Sequence, residues 1–327
     1  MEESRGATAT GNSNLDSLLR PSNWADYIGQ ENIKQNLRIL LDASRSRGDS
    51  PEHLLFYGPP GLGKTTLSYL IAKEIGAQIK ITSGPAIDKV SDLASILTNL
   101  GEGDVLFIDE IHRLNKTIEE VLYPAMENGT LDIIIGKGPS ARTVQLDLPP
   151  FTLVAATTRI SLLSPPLRSR FSGGVHRLEL YAESDIAQII HNSARVLGMD
   201  IADDAAQAIA CRARSTPRTA NFLLKRCRDM AQLDGVSITP RVVERTMQMQ
   251  GVDELGLSEI DRELLRVMIE KFNGGPVGLS TIAAAISEDP STIEEVYEPY
   301  LLQQGLIHKT PRGREVTQAA RHHLGFV

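Results

Sequence analysis

The chain has 327 residues, of which 41% are hydrophobic and 23% charged, with a formal net charge of −7. That length exceeds one ordinary core and implies two or three domains, and the composition excludes a disordered or fibrous chain. The acidic balance excludes a generally basic nucleic-acid coat, so any contact with DNA has to come from a local patch.

Residues 1–15, rich in Ser, Thr, Gly and Asn, read as a mobile tail. They lack the basic and apolar parts of a signal peptide, and no later run has the apolar length of a membrane span, so a cytoplasmic location is expected. In 32–43 the spacing of Ile33, Leu37, Leu40 and Leu41 predicts an amphipathic helix.

The apolar run 54–57 then enters Gly58-Pro59-Pro60-Gly61-Leu62-Gly63-Lys64-Thr65, a complete phosphate-binding loop between a predicted strand and a predicted helix over 65–75. Such a turn aims backbone N–H groups and the positive end of a helix at one point, and Gly58, Gly61 and Gly63 let the backbone approach phosphate oxygens without a Cβ in the way. Lys64 is placed to reach the outer phosphates, Thr65 to complete the coordination of Mg²⁺, and Thr66 to contact the inner phosphates. The cofactors expected are therefore ATP and Mg²⁺.

Further strands are expected at 78–82, 105–108 and 152–156, with helices between them, which implies a parallel sheet covered on both faces. The second ends in Asp109-Glu110. Two carboxylates at the carboxyl end of a buried strand need a cation or hydrogen bonds to be tolerable. Asp109 is placed to hold Mg²⁺ through its water shell and Glu110 to orient and deprotonate an attacking water, so a hydrolase is expected.

Between these strands, 131–135 and the alternating Val144, Leu146 and Leu148 flank Gly136-Lys137-Gly138-Pro139, a β-hairpin pattern. Its plainer reading is two extra core strands. If the hairpin projects, Ile133, Ile134 and Ile135 form an exposed apolar patch of the kind that meets a protein partner.

After about residue 182 the strand signals stop. Amphipathic helices are expected over 185–197, 203–214 and 218–233, with Pro240 opening another; Cys211 and Cys227 fall within them, lack metal-ligand spacing, and read as buried free thiols. Residues 253–256 look like a hinge. Beyond it helices over 258–272, 280–286 and 291–304, the last started by a Ser291 and Glu294 capping box, lead into a two-strand wing. The expected boundaries are 1–183 for the nucleotide-binding domain, with its hairpin at 131–149, then 184–254 for a small helical lid and 255–327 for a winged helix.

With Ala156-Thr157-Thr158-Arg159, Pro166-Leu167-Arg168-Ser169-Arg170-Phe171 and Thr216-Pro217-Arg218 added to the two nucleotide motifs, the chain resembles the AAA+ ATPases. Leu19-Arg20-Pro21, Asp26-Tyr27-Ile28-Gly29-Gln30, the insert 132–139 with Ala141-Arg142, Val296-Tyr297-Glu298-Pro299-Tyr300-Leu301 and Thr310-Pro311-Arg312-Gly313-Arg314 narrow this. They resemble the motor family of the bacterial Holliday junction branch-migration complex, from about Leu18 to Gly325.

The resemblance implies an α/β AAA+ P-loop NTPase domain with a parallel sheet, a helical lid and a C-terminal winged helix, in a ring of identical subunits, six in number. It makes Thr158 the first sensor, Arg170 an arginine finger acting on a neighbouring subunit's ATP, and Arg218 the second sensor. Leu19, Arg20, Tyr27, Ile28 and Tyr181 become adenine-side contacts. The plainer alternatives are a strand-capping Thr158, a surface ion pair for Arg170, with Arg168 a competitor for the finger role, and a solvated Arg218. The hairpin partner implied is the junction-recognising subunit of the same complex, with a further subunit of that complex as a second partner.

The helix over 291–304 holds Glu294, Glu295 and Glu298 and no Lys or Arg, so phosphates would repel it. Lys309, Arg312 and Arg314 of the wing, with Arg321 beyond, are the local basic patch, expected to touch DNA backbone rather than read bases; a solvated charged turn is the alternative. Two rival functions remain at this level: a clamp-loader-like switch that opens another protein ring, and a nucleotide-gated regulator whose winged helix selects a promoter.

Overall fold

The computed structural model describes residues 13–135 and 142–326. Most of the expected tail lies outside them, but its last residues do not continue it: Ser13–Leu18 is a short helix. The described chain divides into two compact units, one running up to Val196 and including Thr216–Arg218, the other made of Leu197–Ser215 and Thr219 onward.

In the first unit five parallel strands lie in the order β2 (Ile79–Ser83), β3 (Val105–Asp109), β6 (Thr152–Thr157), β1 (Leu54–Tyr57) and β7 (Val175–Arg177). The central strands have continuous apolar interiors, as strands buried on both faces do: Val105 to Ile108 and Leu153 to Ala156 are fully buried. Each Val, Leu, Ile and Phe among them contributes about 1.5–3 kcal/mol by leaving water. The one polar group at the start of β6, the Thr152 hydroxyl, donates to Pro51 O at 2.7 Å. Strand β7 was not legible. It is three residues long with Val175 39% exposed, and it is held by pairing with β1, from Leu55 opposite Val175 to Tyr57 opposite Arg177.

β4 (Thr130–Ile135) and β5 (Arg142–Asp147) form a separate antiparallel ribbon, with Ile133 opposite Val144. Leu131 and Leu148 at its base are buried in the core and Val144 is exposed, so the ribbon is not a pair of extra core strands. Its expected turn at Gly136-Lys137-Gly138-Pro139, and Ala141, lie outside the described residues.

One residue before β1, His53 Nδ1 accepts from Leu153 N at 2.9 Å and its Nε2 lies 3.1 Å from Met126 O, which fits a neutral ring protonated at Nε2. Burial pushes the His53 pKa below the ordinary value, and burial does the same to His176. The stability these rings provide is complete above the unfolded-state pKa of about 6.5 and is lost as pH falls toward the lowered folded value, because the unfolded chain takes up protons first. Thermal melts are expected to shift downward on acidification below about pH 6.5, and a His53→Gln variant to show a shallower fall.

The second unit is helical. Helices Asp203–Arg212, Pro217–Asp234 and Pro240–Met249 fall close to their expected positions, Pro240 following a Thr239 side-chain cap. In the C-terminal part, helices Glu259–Phe272 and Leu279–Ile286 precede a broken segment, Pro290–Thr292, a π turn Ile293–Tyr297 and Glu298–Gln303, and then a wing of β8 (Ile307–Thr310) and β9 (Gly313–Val316). The expected cap is corrected here. Asp289, not Ser291, caps this segment, its Oδ1 accepting from Ser291 N at 2.8 Å, because Pro290 at the first helical position has no N–H to satisfy. Leu264, Leu265, Met268, Ile282, Leu301 and Ile307 make the buried core of this part.

Candidate functional site

The phosphate loop leaves β1 and opens helix Lys64–Glu74, with Gly58, Gly61 and Gly63 at φ values of 143°, 83° and 95°. A side chain there would be strained, and a Cβ on Gly63 would stand 3.0 Å from Tyr27 Oη. Lys64 is 7% exposed, and its ammonium donates to Gly58 O at 2.8 Å and Pro59 O at 2.9 Å. Burial lowers its pKa, against the pull of Glu110 and Asp109. Thr65 and Thr66, half-buried, follow in the first turn.

Asp109 ends β3 and Glu110 turns away from the sheet at φ 47°. Gly84 makes that turn possible: a Cβ there would sit 2.4 Å from Glu110 O. Thr158, just past β6, donates from both N and Oγ1 to Glu110 Oε2, each at 3.0 Å. His112 Nδ1 lies 3.1 Å from the same oxygen and 2.8 Å from Thr157 Oγ1. His112 was not among the expected site residues, because only the short turn Ile111–Arg113 folds it back beside Glu110.

Arg218 joins this point through its own N–H to Gly61 O, at 3.4 Å, and its charge is felt by Lys64 and Asp109. Below the loop, Tyr27 and Tyr181 are buried, with hydroxyls 3.4 Å apart and 3.5 and 3.4 Å from Leu62 O. Burial raises both phenol pKa values, so they stay neutral donors. Leu19 is buried, Ile28 half-buried, and Arg20 lies over the Tyr69 ring at 4.2 Å.

The residues fit the groups the motifs imply. Lys64 is an ammonium stripped of water beside two carboxylates, a state that a phosphate would relieve. Burial first, and then Glu110, push the Asp109 pKa up, so its anion gains from a divalent cation.

Arg170 lies apart from that set. It caps the one-turn helix Pro165–Ser169, its Nη1 donates to Pro166 O at 2.6 Å, its Nη2 is 3.0 Å from Glu127 Oε1, and its guanidinium stands 4.2 Å from the Tyr123 ring centroid. Arg168 is exposed.

In the wing, Arg312 is exposed at the turn between the strands. Arg314 is drawn inward: its side chain is 12% exposed, with Nη2 2.8 Å from Glu298 Oε2, and Lys309 lies 3.4 Å from Glu294 and Glu298. Two of the three acids of that segment, Glu294 and Glu298, are thus paired with cations of the wing. Ile133, Ile134 and Ile135 are placed in β4.

A glycine-rich loop running from β1 into a helix, a carboxylate pair at the end of β3 and a threonine from β6 between those two strands define a P-loop NTPase, here with a helical lid and a winged helix. Family models agree along the chain: "Holliday junction DNA helicase RuvB P-loop domain" matches residues 19–178, "RuvB AAA lid domain" 181–253, and "RuvB C-terminal winged helix domain" 254–325. The Holliday junction branch migration complex subunit RuvB of Dehalococcoides mccartyi is 54% identical over 322 residues, 98% of this chain and 92% of that protein. The solved structure of the Thermotoga maritima RuvB Holliday junction branch migration motor superimposes with a TM-score of 0.84 at 47% identity, covering 94% of this chain and 98% of that one. A point variant of the same protein gives 0.85 with the same identity and coverage. The chain belongs to the RuvB family. It binds nucleotide, and among the described residues no helix is long and apolar enough to cross a membrane.

Proposed function

We propose that this chain is an ATP-driven DNA motor, the RuvB subunit of a RuvAB complex, which pulls duplex DNA to drive branch migration of Holliday junctions in the cytoplasm. Six copies form a ring around the duplex, RuvA holds the junction and docks on the hairpin through Ile133, Ile134 and Ile135, and RuvC is an additional partner. The domains are 1–183, 184–254 and 255–327.

The observation that carries this reading is the division of the catalytic set. Lys64, Asp109, Glu110, Thr158 and Arg218 gather about one loop, whereas among the described residues Arg170 has no partner on that loop. An arginine finger supplied by a neighbour completes such a site only in a head-to-tail assembly, which closes into a ring when the rotation allows.

Thr65 and Asp109 would hold Mg²⁺, which would supply neutralisation of charge on the transferring phosphoryl group. Lys64 and the loop N–H groups fix the phosphates, Tyr27, Tyr181, Leu19, Arg20 and Ile28 surround the base, and Thr66 supports the inner phosphates. Glu110 takes a proton from the attacking water, and Thr158 holds that carboxylate in place. Arg218 links lid position to the state of the phosphates.

DNA contact falls chiefly to Arg312, with Lys309 beside it. Arg312→Ala is expected to weaken binding on all sequences alike and to reduce the salt slope by about one. Arg314→Ala is expected to act on folding instead, because the buried Glu298 loses its hydrogen-bonded guanidinium and keeps only Lys309 at 3.4 Å. Filter binding across a salt series, beside a thermal melt, separates the two.

The function itself is tested on a synthetic four-way junction with RuvA, ATP and Mg²⁺. Duplex products that require all three are expected. Hydrolysis without strand exchange in that assay would favour a clamp-loader-like switch.

A further inference from the structure

Helix Lys116–Asn128 places Glu119, Tyr123 and Glu127 one turn apart on a single stripe. Each of the three has a defined contact with Arg170 or with the turn that carries it. Glu127 Oε1 lies 3.0 Å from Arg170 Nη2, and the Tyr123 ring lies under the guanidinium at 4.2 Å. Glu119, only 6% exposed, accepts from Ser164 Oγ at 2.6 Å, and Tyr123 Oη lies 3.2 Å from Glu119 Oε2 and 3.1 Å from Ser164 Oγ.

Ser164 is the N-cap of the one-turn helix that ends at Arg170, accepting from Leu167 N at 3.3 Å. One buried carboxylate therefore fixes both ends of the arrangement: the ring on which Arg170 rests and the cap of the turn from which it projects. A long cationic side chain on a loop ordinarily samples many rotamers. Here Arg170 is 21% exposed and held on three sides, by a ring, a carboxylate and the Pro166 carbonyl.

We propose that Tyr123 and Glu127 are positioning residues for Arg170, with Glu119 securing Tyr123 and Ser164, so that each subunit presents a pre-aimed guanidinium to its neighbour's ATP. This rests on the reading of Arg170 as the finger that acts in trans. The contacts of Glu119, Tyr123 and Glu127 described above go to Arg170, to its turn and to one another, not to the phosphate loop. Loss of aim by an ångström costs about a hundredfold in rate when the group acts on a transition state, so the effect falls on kcat and not on KM.

The test uses the full chain with ATP, Mg²⁺ and duplex DNA. Tyr123→Leu is expected to lower kcat by about 10- to 100-fold with KM and melting temperature little changed. Tyr123→Phe, which keeps the ring, should lose less, and the half-exposed Glu127→Gln supplies a variant whose folding is not in question. Each is then mixed with a Lys64→Ala subunit, which cannot use ATP but carries an intact Arg170 and its supports. Turnover above the sum of the separate proteins is expected, because an intact finger then meets a competent site.

An unchanged or raised kcat overturns the proposal, the latter meaning that the contacts restrain Arg170 at rest. So does a low kcat without rescue while Arg170→Ala is rescued in the same mixture, since the damage then lies in the variant's own site. If Arg170→Ala itself is not rescued, the finger reading fails and the proposal falls with it.

Discussion

Arg170→Ala is expected to lower ATP turnover by about 10³- to 10⁵-fold, the range for removal of an arginine finger, while nucleotide binding stays near that of the parent chain. The two effects separate because Lys64, Asp109, Glu110, Thr158 and Arg218 assemble without Arg170. The folded chain should tolerate the change, since Glu127 is half-exposed and can be rehydrated, and Tyr123 keeps its contacts to Glu119 and Ser164. Single-turnover hydrolysis and fluorescent-nucleotide titration measure the two quantities. A fall in binding as large as the fall in turnover would place Arg170 in its own subunit's site.

Glu110→Gln should cost about 10²- to 10⁴-fold in turnover, as for loss of a general base, with ATP retained. The amide keeps the shape of the side chain and an oxygen for Thr158 N and Oγ1, so the turn at Glu110 should hold. Removing one of two neighbouring carboxylates also relieves Asp109, whose pKa is raised in part by Glu110. Nucleotide therefore stays bound while the chemical step stops, and the variant should trap protein on DNA. Rapid hydrolysis by Glu110→Gln would remove this residue as the base.

The parts of the site that were legible in sequence are those whose chemistry is local. The phosphate loop is one contiguous segment, and its glycines, lysine and threonine have to be adjacent to do their work. β3 and β6 are apolar enough to announce themselves, and Asp109 and Glu110 follow directly from β3.

What was not legible depends on contacts that close across long separations. Arg314 finds Glu298 sixteen residues back, which turns an expected phosphate contact into a partner of a buried acid. Tyr123 meets Ser164 across 41 residues, so nothing in the linear spacing of the stripe ties it to Arg170. β7 has too few residues to show a period, and the choice of Asp289 over Ser291 as a cap turned on a proline between them.

The inward turn of Arg314, and the sharing of the half-exposed Lys309 with Glu294 and Glu298, reduce the positive charge that each wing has to offer a phosphate. A single such foot grips weakly and lets go readily, which suits a machine that has to release and re-engage at every step. In the proposed ring, firm hold would come from several subunits touching at once, through effective concentration rather than individual strength. Retention on a long duplex should accordingly collapse with salt far more steeply for the assembled ring than for one subunit.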